Sequence, residues 1–149
     1  MPRAPRKPVP ANRTVAVIAY DGLCTFEFGI AVEVFGLPRP ELEDWYRFLV
    51  CGAEPGPFRA TGGVRVSADA GLDALAEAGT IIVPGWRDHR DVPPPALTDA
   101  LRAAHGRGAR LVSLCSGVFV LAAPGLLGGR RAPPHWRDFD ALAKAYPAI

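Results

Sequence analysis

Apolar and polar residues alternate along the chain in blocks that predict an α/β fold. Four short apolar runs have the length of buried strands, and they lie at residues 14–20, 46–52, 80–84 and 110–114. Stretches with a helical pattern connect or follow them, as expected for parallel strands, because a parallel pair needs a long crossover connection. The pattern therefore predicts a mostly parallel sheet covered on both faces.

The helical stretches have recognisable boundaries. They are predicted at residues 24–36, 71–78, 96–106, 118–123 and 136–146. Thr25 is a candidate cap for the first helix, and Glu27 lies in its first turn, where the helix dipole favours an anion. Further short extended runs are predicted at residues 64–67 and 130–133.

Length and composition indicate one globular domain. The chain has 149 residues, of which 49% are hydrophobic and 21% are charged, and one domain typically has about this length. No apolar stretch approaches the roughly 18 residues of a membrane helix, and the N-terminus lacks the apolar core of a signal peptide. We therefore expect a cytoplasmic protein with no membrane partner.

The net charge of +2 is unevenly placed. Residues 1–13 contain four basic residues, four prolines and no acidic residue, so the remaining chain is net acidic. This composition predicts a disordered or polyproline-like tail at 1–13, followed by one domain at 14–149. The body does not have the charge of a DNA-binding domain, so no DNA binding by this chain alone is expected.

The three cysteines, Cys24, Cys51 and Cys115, are widely spaced and form no CxxC motif. They predict neither a disulfide framework nor a metal site, and we expect reduced thiols and no cofactor.

The fourth predicted strand runs directly into Cys115, Ser116 and Gly117 and then into an apolar helix. A strand–Cys–helix junction places the thiol at the carboxyl edge of a parallel sheet, where such folds bind their ligands. A helix N-terminus stabilises a thiolate, and Gly117 permits a tight turn. We therefore expect Cys115 to be a nucleophile near neutral pH.

Residues that follow other strands are candidate partners of this thiol. Glu27 is expected at the same edge, where its carboxyl group can hydrogen-bond the sulfur or transfer a proton. His135 can act as a base or an orienting group. The N–H groups of Gly85 and Trp86 form a candidate oxyanion hole, with Ser116 as a further ligand-binding residue.

Other interpretations of these side chains stay open. Glu27 is also consistent with an exposed charge at a helix start, and His135 with a packed surface residue. Cys24 and Cys51 fit packing roles, although Cys24 lies close enough to Glu27 for a redox relation to Cys115.

Four segments carry a resemblance to a known family: DGLCTFEFGIAVEVFG, IIVPGW, LVSLCSGVFVLAAPGLLGGRRA and the following HW. Over residues 13–147 the chain resembles the ThiJ/PfpI family of the class I glutamine amidotransferase-like superfamily. Within it, the chain is most similar to the N-terminal domain of AraC-type transcriptional regulators of the amidase-like group. The resemblance implies a flavodoxin-like three-layer sandwich and a homodimer.

The resemblance also implies roles for particular residues. Cys115 would be the elbow residue, Glu27 its carboxyl neighbour and His135 the family's histidine. Gly85 and Trp86 would form the pocket for a small anion or oxyanion.

The chain departs from the family pattern at three places. Pro133 and Pro134 stand where regulators of this group typically have two threonines, and this removes a hydroxyl and a backbone donor. Ser116 follows the cysteine where the peptidase-like branch has a histidine, which argues against peptidase activity. The sequence ends before a linker and helix-turn-helix motifs, so we expect a C-terminally truncated domain without a DNA-binding half.

These observations predict a small-molecule or redox sensing domain of an AraC-type regulator, with a small molecule as its ligand. The alternative is a cysteine-dependent enzyme, either a hydratase or lyase of the isonitrile-hydratase type or a glyoxalase-like stress enzyme. In the enzyme, the Cys115 thiolate would add to an electrophilic carbon while Glu27 moves the proton.

Overall fold

The computed structural model describes residues 12–149. The tail predicted at residues 1–13 therefore lies outside the described residues except for Asn12 and Arg13. None of the helices in the described part of the chain is long and apolar enough to cross a membrane.

Strands and helices alternate along the chain. The strands are β1 (Thr14–Ala19), β2 (Arg47–Gly52), β3 (Phe58–Arg59), β4 (Arg65–Val66), β5 (Thr80–Pro84) and β6 (Arg110–Leu114), and the α-helices are α1 (Thr25–Ala31), α2 (Pro95–Gly106), α3 (Val118–Ala122) and α4 (Phe139–Ala145). Single turns of 3₁₀-helix occupy Thr61–Gly63, Cys115–Gly117 and Trp136–Asp138, a longer one Leu72–Glu77, and a π-helical turn at Val32–Gly36 continues α1.

The central sheet has four parallel strands in the order β2-β1-β5-β6. From β1 the chain first moves outward to β2 and then returns to the other side of β1 through β5. The order thus reverses between β1 and β5, and open α/β sheets bind their ligands at such a switch point. The short strands β3 and β4 form a separate antiparallel pair.

Helices cover both faces of this sheet. Successive side chains of a strand point to opposite faces. Ile18 of β1 shares a buried cluster with Leu101 of α2, whereas its neighbour Val17 shares one with Ala31 of α1. The predicted three-layer α/β sandwich with a parallel sheet is therefore confirmed, and the four predicted strands coincide with β1, β2, β5 and β6.

One local prediction is wrong. Thr25 does not cap α1: Cys24 occupies the N-cap position, and the Thr25 hydroxyl donates to the Thr61 carbonyl at 2.7 Å. The Thr61 hydroxyl accepts from the Thr25 N–H at 3.2 Å, so a residue distant in sequence satisfies an N–H at the start of the helix. The extended run predicted at residues 130–133 pairs with no strand among the described residues.

The turn at Cys115–Gly117, called the elbow below, joins β6 to α3, and its packing should not tolerate a side chain at Gly117. A Cβ there would overlap the Val83 carbonyl oxygen of β5 and lie 3.2 Å from the Gly85 nitrogen. We expect Gly117→Ala to lower the free energy of unfolding by about 1–3 kcal/mol, the usual cost of overpacking, as measured by urea denaturation.

Gly29→Ala is the matched control. Gly29 lies in α1 with nothing within 4 Å of a Cβ, so alanine should raise stability by about 0.5–1 kcal/mol. A Gly117→Ala protein as stable as the wild type would contradict the tight contact between the elbow and β5.

Candidate functional site

Three strand ends meet at the candidate site. Cys115 directly follows β6, Trp86 lies two residues after β5, and Glu27 lies in the first turn of α1, which follows β1. Because these strands are parallel, the segments after them lie at the same edge of the sheet. The fold therefore brings together Cys115, Glu27, Gly85, Trp86 and Ser116, as predicted for this edge.

Cys115 forms a sharp turn between β6 and α3. It is the one non-glycine residue with positive φ among the described residues, with φ of 53°. A left-handed conformation costs an ordinary residue roughly 1–2 kcal/mol, and such strained residues are often found at functional sites. The predicted strand–Cys–helix elbow is confirmed.

The loop after β5 holds this turn in place. The Gly85 N–H donates to the Leu114 carbonyl at 3.0 Å. The Ser116 hydroxyl accepts from the Trp86 N–H at 2.9 Å and donates to the Trp86 carbonyl at 3.0 Å. Ser116 thus clamps the elbow to the neighbouring strand end.

These hydrogen bonds already use the N–H groups of the predicted oxyanion hole. The N–H groups of Gly85 and Trp86 both donate within the protein. Their role toward a bound oxyanion stays a prediction, and it requires one of these bonds to open. The backbone of Ser116 acts on the reactive atom itself, because it lowers the pKa of the Cys115 thiol.

The Cys115 thiol is half-buried and lies close enough to Glu27 for that group to change its pKa. Burial raises the pKa of Cys115, the backbone of Ser116 lowers it, and the interaction with the Glu27 carboxylate and its charge raise it further. The net pKa is higher than that of an ordinary cysteine. At neutral pH the group is therefore a neutral thiol beside Glu27.

The sequence predicted a thiolate at Cys115 near neutral pH, which requires a lowered pKa. That prediction is wrong, because the pKa is raised. The helix behind the thiol has only five residues and begins after a 3₁₀ turn. Its N–H groups and dipole do not outweigh burial together with an adjacent carboxylate.

Cys24 lies at the same edge of the sheet. Its thiol makes a long hydrogen bond to the Trp86 carbonyl at 3.9 Å, and a Cβ on Gly85 would lie 2.7 Å from its sulfur. Burial raises the pKa of Cys24, and the charge on Glu27 raises it too. The sequence analysis favoured a packing role for Cys24. Its position three residues before Glu27, in the β1–α1 connection, is the feature that indicates a place at the site.

Cys51 has a different environment. It is fully buried in β2, and burial followed by the charges of Asp73 and Glu77 raises its pKa to about 11. It is therefore an internal reference for an unreactive thiol.

The structure places His135 outside the contacts of the thiol. Its Nδ1 accepts from the Arg137 N–H at 3.3 Å, and its ring lies 5.5 Å from that of Trp136. Within residues 12–149, His135 makes no hydrogen bond to Cys115 or Glu27. Its catalytic role stays a prediction.

A second histidine packs against the helix that follows the elbow. His89, in the loop after β5, lies with its ring 5.5 Å from that of Phe119 in α3.

A polar network fixes the loops around the site. The Arg87 guanidinium donates to the Asp21 carbonyl at 2.8 Å and to the Glu54 carboxylate at 3.0 Å, and it also pairs with Asp91. These contacts join the loops that follow β1, β2 and β5. Beneath them, the buried Trp86 ring lies 4.7 Å from Tyr20.

Among the described residues, no group of three His, Cys, Asp or Glu side chains is arranged to hold a metal ion.

Residues 13–148 match the DJ-1/PfpI family. The chain belongs to this family. It is 35% identical over 135 residues to a protein encoded in the cpoL 5' region of Streptomyces lividans, covering 90% of this chain and 95% of that one. It is 36% identical over 129 residues to the HTH-type transcriptional regulator CdhR of Pseudomonas aeruginosa, covering 86% of this chain and 38% of CdhR.

A solved structure of a transcriptional regulator shows the same fold. The crystal structure of an AraC family transcriptional regulator from Pseudomonas putida superimposes with a TM-score of 0.77 at 20% identity, covering 91% of this chain and 73% of that one. The family and the resemblance to AraC-type regulators predicted from the sequence are therefore confirmed. This DJ-1/PfpI chain spans about two-fifths of the length of CdhR.

The carboxylate of Glu27 should control the titration of Cys115. Because the hydrogen bond to Glu27 and its charge both raise the pKa of Cys115, Glu27→Gln should lower that pKa. The pH profile of Cys115 alkylation by iodoacetamide, followed by peptide mass spectrometry, should then shift to lower pH.

Glu33→Gln removes an exposed carboxylate farther along the same helical segment and should leave the profile unchanged. A Glu27→Gln profile identical to that of the wild type would remove Glu27 from the environment of the thiol.

Proposed function

We propose that this DJ-1/PfpI domain is the small-molecule or redox sensing domain of an AraC-type transcriptional regulator, and that it works in the cytoplasm. The observation that carries the proposal is a neutral Cys115 thiol beside Glu27, at a turn held by the Ser116–Trp86 hydrogen bonds, in a chain related to HTH-type regulators. The proposal concerns this domain alone, because the chain matches only 38% of CdhR.

The polar groups of the site suit recognition of a small ligand. The Cys115 thiol, the Glu27 carboxylate and the Ser116 hydroxyl are all partly exposed and lie at the switch point of the sheet. A thiol and a carboxylate together offer a donor and acceptors to a small nitrogenous or carbonyl compound. The Arg87 network holds the surrounding loops, so the ligand meets a preformed surface.

Three features favour sensing over turnover. A raised pKa leaves little thiolate at neutral pH, and the thiolate is the nucleophilic form. The N–H groups of Gly85 and Trp86 are already hydrogen-bonded. His135 makes its hydrogen bond within its own segment.

One observation favours an enzyme as the second candidate. A thiol beside a carboxylate is an arrangement for general-base catalysis, since Glu27 can take the proton as Cys115 attacks a carbon. This would be the chemistry of a hydratase, a lyase or a glyoxalase-like enzyme. Peptidase activity is not expected.

Ligand binding and turnover can be separated in one experiment. We expect a member of a panel of isonitriles, amides and methylglyoxal to raise the melting temperature of the wild type but to give no product by mass spectrometry. At a concentration one hundred times its Kd, a ligand stabilises the folded state by about 2.7 kcal/mol. Cys115→Ser should lose most of this shift, whereas Cys51→Ser should retain it relative to its own baseline. Product formation that disappears in Cys115→Ser would reject the sensor in favour of the enzyme.

A homodimer is part of the same proposal. Phe26 and Ile30, four residues apart on α1, are 77% and 37% exposed, so the helix that carries Glu27 also presents an apolar face. A second copy of this chain is the partner implied by the family resemblance. Packing two such faces together would remove apolar surface from water beside the site.

Light scattering coupled to gel filtration tests the dimer. We expect a dimer for the wild type and a monomer for Phe26→Asp, because a buried unpaired carboxylate is costly. Val92→Asp is the control: Val92 is 79% exposed in the loop after β5, and its substitution should leave the dimer intact. A monomeric wild type at tens of micromolar would reject this part of the proposal.

A further inference from the structure

Two thiols, Cys24 and Cys115, lie beside the single carboxylate of Glu27. We propose that Cys24 is the resolving thiol of this site, closing a disulfide with Cys115 after hydrogen peroxide has oxidised Cys115. This inference rests on the proposed function, since Cys115 must be the thiol that reacts first. It adds a second reactive residue and a defined reversible product.

The backbone of the β5 loop brings the two thiol-bearing segments together. The Trp86 carbonyl oxygen accepts from the Cys24 thiol at 3.9 Å and from the hydroxyl of Ser116, the residue after Cys115, at 3.0 Å. The segments that carry the two sulfurs therefore converge on one oxygen atom.

Gly85 keeps the space between these segments open. A Cβ at this position would lie 2.7 Å from the Cys24 sulfur, while the Gly85 N–H bonds to Leu114, the residue before Cys115. Gly85 also has φ of 74°, which a residue with a side chain adopts only with strain. No side chain therefore stands between Cys24 and the backbone that holds the elbow.

Charge and exposure agree with this geometry. Glu27 raises the pKa of both thiols, and the charge on Cys24 raises the pKa of Cys115, so each thiol lies within electrostatic reach of the other. Cys24 and Cys115 are both partly exposed, whereas Cys51 is buried. Peroxide can thus reach the pair but not the third cysteine.

Cys24 can move without unfolding the helix behind it. It is the N-cap residue of α1, yet its side chain makes no capping hydrogen bond, and its hydrogen bond to the Trp86 carbonyl is long. Its other polar neighbour is the Tyr20 hydroxyl, which keeps its own hydrogen bond to the Pro84 carbonyl at 2.8 Å. Reorienting the Cys24 side chain toward Cys115 therefore breaks no capping bond and no short hydrogen bond.

The chemistry balances with peroxide as the named oxidant. Glu27 takes the Cys115 proton; the sulfur attacks one peroxide oxygen, the O–O bond breaks, and the leaving hydroxide takes the proton from Glu27, giving a sulfenic acid and water. The Cys24 sulfur then attacks the sulfenic sulfur, the S–O bond breaks, and the leaving hydroxide takes the Cys24 proton, giving a disulfide and a second water. Two thiols lose two electrons in all, and peroxide gains them.

The test treats the full chain with a small molar excess of peroxide, blocks remaining thiols with N-ethylmaleimide and identifies the products by non-reducing peptide mass spectrometry. We expect a Cys24–Cys115 linkage in a chain that still runs as a monomer on a non-reducing denaturing gel. Cys51 should stay reduced, and dithiothreitol should restore both other thiols.

Variants show whether Cys24 resolves the oxidised thiol. In Cys24→Ser the sulfenic acid should persist, so trapping of Cys115 by dimedone should rise several-fold over the wild type. Serine is a favoured N-cap residue, so this variant should fold, which circular dichroism checks. Cys51→Ser is the control and should retain the Cys24–Cys115 disulfide.

The outcomes distinguish failure of the Cys24 role from failure of the proposed function, in which Cys115 is the reactive thiol. Suppose that Cys115 is oxidised before Cys51. Equal dimedone trapping in the wild type and Cys24→Ser, or a disulfide that joins two chains, would then reject the resolving role of Cys24, while Cys115 would stay the reactive thiol. If Cys115 is oxidised no faster than Cys51, the proposed reactive thiol itself is rejected.

Discussion

The close contact between the elbow and the end of β5 is the constraint on which the site depends. Gly117 packs against the Val83 carbonyl with no room for a Cβ, and the Gly85 N–H and the Ser116 hydroxyl complete the contact. This contact holds Cys115 in a left-handed conformation that the residue would not adopt by itself. The same contact uses two backbone donors that would otherwise face a ligand.

The chemical character of Cys115 follows from this arrangement. A thiol at a sharp turn ahead of a long helix would be expected to ionise easily. Here the turn is 3₁₀, the helix is short, and Glu27 from the β1–α1 segment faces the sulfur. The site is therefore built around a neutral thiol beside a carboxylate, and the carboxylate must take the thiol proton before the sulfur can react.

The fold was largely predictable because its signals are local. The four apolar runs became the four central strands, and the Cys115-Ser116-Gly117 junction became the elbow. The failures involve contacts between distant segments. Thr25 bonds to Thr61, thirty-six positions away, and so does not cap its own helix. The direction of the Cys115 pKa shift and the position of Cys24 likewise depend on which loops pack together.

The sequence by itself determined the α/β class, the parallel sheet, the elbow cysteine and the family, because hydrophobic period and a glycine two positions after a cysteine act over a few residues. The tertiary structure decided the state of that cysteine. Burial, the charge of Glu27 and the hydrogen bonds of Gly85, Trp86 and Ser116 arise only when three strand ends meet. A pKa depends on every group within a few ångströms in space, and spacing along the chain does not specify those groups.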